Sequence, residues 1–146
     1  MAEFIVQTDA EVFAQLYASY LAAPAGKYQT TVADNLRAFV GVTANAVAVD
    51  AGYRQDCVVR VRLKPVDTKG IQHLELGVSS KLDTETGWEN RLELLVALYP
   101  GIPGQITIRK YRVGSDPQMN RRNTSAFINK LAEALNWRWN SAWGLV

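Results

Sequence analysis

This 146-residue chain predicts an α+β fold: two N-terminal helices, a four-stranded antiparallel meander, then a C-terminal helix and an aromatic tail. Three observations carry that prediction. Residues 57–113 alternate apolar and polar side chains in four runs separated by turn residues, the signature of half-buried strands. The segments on either side repeat apolar residues at helical spacing. The last ten residues hold three of the four tryptophans. No linker is long enough to divide the chain, so one domain is expected over residues 1–146.

In chain order, Phe4-Ile5-Val6 reads as a short edge strand. Thr8 and Glu11 have capping-box spacing, and Val12, Phe13, Leu16, Tyr17, Tyr20 and Leu21 follow as a helical stripe that Pro24 and Gly26 stop. Thr31 and Asp34 suggest a second start. Val32, Leu36, Phe39 and Val40 then share a face, which predicts a helix to about Ala44. Beyond that point β-branched residues and alanines fit helix or strand equally well.

The meander follows. Cys57, Val59, Val61 and Leu63 alternate with Val58, Arg60, Arg62 and Lys64. Leu74, Leu76 and Val78 alternate with His73, Glu75, Gly77 and Ser79. Leu92, Leu94, Val96 and Leu98 alternate with Arg91, Glu93, Leu95, Ala97 and Tyr99. Ile106 and Ile108 alternate with Thr107, Arg109 and Tyr111. Asp67-Thr68-Lys69-Gly70 suits a hairpin with glycine at a left-handed position. Pro100-Gly101-Ile102-Pro103-Gly104 is expected to interrupt the sheet, because each proline lacks an N–H. Short links make neighbouring strands antiparallel. Helices should cover the aliphatic face, while the charged face meets water.

After the sheet, Asp116-Pro117 is a helix-start signal, with Asn123-Thr124 competing. Phe127, Ile128, Leu131 and Leu135 form the stripe of a helix ending near Asn136. In the tail Trp137, Trp139, Trp143 and Leu145 share period-2 parity. That pattern suits either closure of the domain's own core or a reach to a neighbouring subunit.

Composition excludes several classes. No apolar run approaches the roughly 20 residues of a membrane-spanning helix. One cysteine rules out an internal disulfide framework. The start lacks a basic then apolar pattern, so a cytoplasmic or virion setting is expected. Only one histidine, His73, exists for imidazole chemistry. Ser79 shares its strand face but lies ~20 Å along a straight strand, beyond hydrogen-bond reach. Cys57 falls on the opposite face from His73, against a cysteine–histidine pair. No zinc spacing or phosphate-cradling glycine motif is found, and the acidic loop Asp83–Glu89 departs from the calcium-loop pattern. No enzyme activity, metal or cofactor is therefore expected.

Charge is uneven. Residues 1–52 carry two basic and five acidic side chains, and residues 53–146 carry fourteen basic and nine acidic. The leading expectation is a non-enzymatic interaction or assembly protein that forms a homo-oligomer. Trp137, Trp139, Trp143, Leu145, Leu95, Tyr99 and Tyr111 are its candidate interface. The helix–sheet–helix order is similar to that of small phage tail-completion proteins that build rings. This resemblance of architecture implies a ring-forming structural subunit. The alternative is a single-stranded DNA or RNA binder using Arg60, Arg62, Lys64, Arg91 and Arg109 on the outer sheet face, flanked by Arg121 and Arg122, with tyrosines for stacking. A third expectation is a small-molecule pocket between tail and sheet.

Overall fold

The computed structural model describes residues 7–80, 91–112 and 116–140. The expected strand at Phe4–Val6, the acidic loop, Trp143 and Leu145 lie outside them. The elements are α1 (Asp9–Ala22), α2 (Lys27–Asp50), β1 (Val58–Leu63), β2 (Gln72–Ser79), β3 (Arg91–Tyr99), β4 (Ile102–Arg112), α3 (Arg121–Leu135) and β5 (Arg138–Trp139). Among the described residues the architecture is α+β, with three helices on one face of a five-stranded sheet ordered β1-β2-β3-β4-β5. Among the described residues no helix is long and apolar enough to cross a membrane.

The meander is antiparallel through β4, as the turn chemistry requires. In the β1–β2 turn, Asp67 Oδ1 accepts from Lys69 N (2.8 Å) and Ile71 N (2.9 Å). These bonds, the Ile71 one first, hold the exposed Asp67 carboxyl below its ordinary pKa. Val59, Leu74, Leu76, Val78, Leu92, Leu94, Val96, Leu98, Ile106 and Ile108 are all buried on the aliphatic face. Against them pack Leu36, Val40, Ala44 and Ala48 of α2 and Phe127, Ile128, Leu131 and Leu135 of α3.

Four expectations are corrected. First, α2 starts at Lys27 and runs on to Asp50. Ala44, Ala48 and Ala51 continue its buried face, and this burial outweighs the ambiguous propensity of the β-branched residues between them. Second, α3 starts at Arg121, capped by Asn120, whose side chain accepts from Asn123 N at 2.8 Å. Asp116 instead forms a buried tie, accepting from Ser80 Oγ (2.7 Å) and Gln118 N (2.9 Å). Third, the sheet resumes at Ile102 directly after Pro100-Gly101, with Gly101 at φ 75°. Pro103 is tolerated because the β3–β4 register shifts between Ala97 and Tyr99. Fourth, the tail supplies a fifth strand, β5, which pairs parallel to β4.

A second register shift lies between Glu93 and Leu94. Leu94 faces Ile108 while Glu93 faces Lys110, so Arg109 is an extra residue in β4. Such a bulge reverses side-chain parity beyond it. Tyr111 therefore faces Leu92 on the core side, and its hydroxyl donates to Met119 O at 3.1 Å. The expected outward Tyr111 is thus a core-side residue. Lys110 and Arg112 take the outward positions, opposite Glu93 and Arg91.

Candidate functional site

The outer sheet face is one candidate surface. Arg60, Arg62 and Lys64 enter it from β1 and its end, Arg91 from β3, and Arg109, Lys110 and Arg112 from β4. Glu75 and Glu93 are the acidic residues among them. Glu75 stands near the centre and collects three partners: Arg109 at 2.8 Å, Lys64 at 3.7 Å and Arg62 at 3.8 Å. Glu93 pairs with Arg91 at 3.1 Å. Among the described strand residues of this face, seven cations thus meet two carboxylates. Leu95, Ala97 and Tyr99 are half-buried on the same face, so the apolar element of the patch is at the β3 end near the β3–β4 turn. Arg121 and Arg122 are exposed in the first turn of α3, in the helical layer and not on a strand.

His73 approaches Asp67, with Nδ1 4.0 Å from a carboxylate oxygen, while Glu75 is engaged by cations. Cys57 packs half-buried against the core, away from His73. Burial, then the Asp116 and Asp56 carboxylates, pushes its thiol pKa up to about 11. Burial also raises Tyr17 and, further, Tyr53, whose hydroxyl lies 2.5 Å from Thr124 Oγ1. Among the described residues no group of three His, Cys, Asp or Glu side chains is placed to hold a metal ion.

The second surface is a groove of about 360 Å³ that the sequence pointed to only as a pocket between tail and sheet. One wall is α1, with Phe13, Tyr17 and Leu21. The other is the Tyr99–Gly104 turn, and Trp137 closes the end. Trp137 is 5% exposed and meets Phe13 edge-on at 5.2 Å. Gly104 permits that placement, since a Cβ there would stand 2.9 Å from Trp137 Cδ1. Trp137 is accordingly a core residue of its own chain. Its Nε1 is the buried side-chain polar atom without a partner among the described residues. Trp139 is half-buried against the same core.

Comparison with protein-family models, curated proteins and solved structures finds no match to this chain.

Proposed function

We propose that the chain is a non-enzymatic assembly subunit that self-associates. The observation that carries this reading is the outer face of α2. From Ala38 to Val49 the helix has no charged side chain. Its inner positions, Leu36, Val40, Ala44 and Ala48, are in the core. Its outer positions, Ala38, Val42, Ala46 and Val49, recur every three or four residues and are exposed, Val42 at 71% and Val49 at 42%. Tyr28, also exposed, lies two heptads before Val42 on nearly the same line. A solvated helix face is ordinarily polar, and a contiguous exposed apolar face marks a contact surface. A closed set of such contacts gives a ring, and an open one a filament.

The test is the mass of the full chain in solution across a concentration series. The reading expects a mass above the 16.2 kDa monomer. Val42→Glu with Val49→Lys should shift the mass toward monomer while circular dichroism stays unchanged. A monomer at every concentration would refute the reading.

A second reading, single-stranded nucleic-acid binding, is favoured by the β4 bulge, which brings Lys110 and Arg112 onto an already cationic face. Its test is oligonucleotide affinity across a salt series, where each phosphate contact contributes a slope of about −0.7. Arg60→Ala with Arg62→Ala should weaken binding and flatten the slope. Affinity that ignores salt would count against it.

A further inference from the structure

We propose that the groove between α1 and the β3–β4 turn receives residues 141–146 of a second copy of this chain. The proposal rests on the self-association reading and names one contact that would serve it. Among the described residues no charged side chain lines the groove, and its rims are apolar, with Leu21 49% and Ile102 56% exposed. A complementary occupant is therefore apolar, uncharged and anchored by a large ring. Residues 1–6 carry Glu3 and residues 81–90 carry four charges. Residues 141–146, Ser-Ala-Trp-Gly-Leu-Val, carry no charged side chain and include Trp143 and Leu145.

Direction decides between the chain's own segment and a neighbour's. β5 runs parallel to β4, with Arg138 opposite Gln105 and Trp139 opposite Ile106. The chain therefore passes Asn140 heading away from the β3–β4 turn that walls the groove. Reaching its own groove would require a reversal after Asn140, whereas a neighbour can present its segment without one. Six extended residues span ~20 Å, about the length of the 14-residue α1 wall at ~1.5 Å per residue. A contact of this kind is heterologous, one copy's segment in the next copy's groove, so it propagates around a ring or along a filament.

The experiment compares four full-length chains by sedimentation: wild type, Trp143→Asp with Leu145→Asp, Leu21→Glu with Ile102→Glu, and Phe4→Asp with Ile5→Asp. Thermal melts establish that each is folded. Expected results are an assembled wild type, at least tenfold weaker association in the segment and groove variants, and no change in the Phe4/Ile5 variant. Excess free peptide Ser141–Val146 should dissociate the wild type. If wild type assembles and the segment or groove variants assemble equally well, the inference is overturned while self-association stands. It is overturned in the same way if only the Phe4/Ile5 variant dissociates, or if the segment variant loses thermal stability without any change in mass. A monomeric wild type removes both the inference and the reading beneath it.

Discussion

Two glycines of similar appearance in the sequence occupy opposite situations. Gly41 lies inside α2, where an added Cβ would meet Val61 Cγ2 at 3.8 Å, an ordinary contact. Gly52 ends the same segment at φ 106°, and a Cβ there would stand 2.8 Å from Asn123 Nδ2. That amide donates to Gln118 O at 2.7 Å, so it is not free to give way. Gly41→Ala should therefore stabilise the fold by about 0.5–1 kcal/mol through helix propensity. Gly52→Ala should destabilise it by about 1–3 kcal/mol through backbone strain and crowding. Paired thermal melts check both signs at once. Cys57 gives a second prediction at this scale. Its raised pKa means the folded state holds the thiol proton more tightly than the unfolded chain does. Alkylation of folded protein at pH 8 should run about a hundredfold slower than in denaturant, rising as pH approaches 11. The associated stability contribution is present below pH ~9 and is lost as pH climbs from there toward 11. Fast alkylation at pH 8 would contradict the placement of Cys57 against the core.

Periodicity marks an element when its environment is constant along its length, and misplaces a residue where that environment changes. The four runs between Cys57 and Val113 alternate because one face is buried throughout, and so the sheet was legible. The bulge at Arg109 was not. An extra residue leaves no local mark, since it is defined by the pairing of β4 with β3, two strands met only in three dimensions. Tyr111 and the pair Lys110 and Arg112 consequently exchange faces relative to strict alternation. The full extent of α2 was hidden for a related reason: the β-branched Val42, Thr43, Val47 and Val49 blur the local preference, and it is burial of Ala44 and Ala48 in the core that decides for helix. Tyr111→Phe tests the bulge directly. On the core side this change deletes the hydrogen bond to Met119 O and should cost about 0.5–1.5 kcal/mol. On the solvent face it would be neutral, within about 0.5 kcal/mol. Urea unfolding distinguishes the two.

At the scale of the whole molecule the two layers differ in the kind of partner they suit. The exposed line of α2 is apolar and the outer sheet face is cationic, so contacts through them respond differently to salt. Glu75 is the residue on which this contrast turns. Its carboxylate, side chain 19% exposed, lies within 3.8 Å of Arg62, Lys64 and Arg109. Those three cations are themselves 38–79% exposed, so each pair contributes at most about 1 kcal/mol after solvent screening. Glu75→Gln should therefore lower stability only modestly. If the face binds a polyanion, the same change removes a repulsive charge and releases three cations toward phosphate. Affinity for a single-stranded oligonucleotide at low salt should then rise, and the salt slope should steepen by up to about 0.7 per cation released. Assembly through the apolar faces should be indifferent to the substitution, and its mass should hold as salt increases, because screening acts on charges and not on buried apolar area. An assembly that dissolves with salt and is disrupted by Glu75→Gln would place the subunit contact on the sheet, and would overturn the assignment of self-association to the helical side.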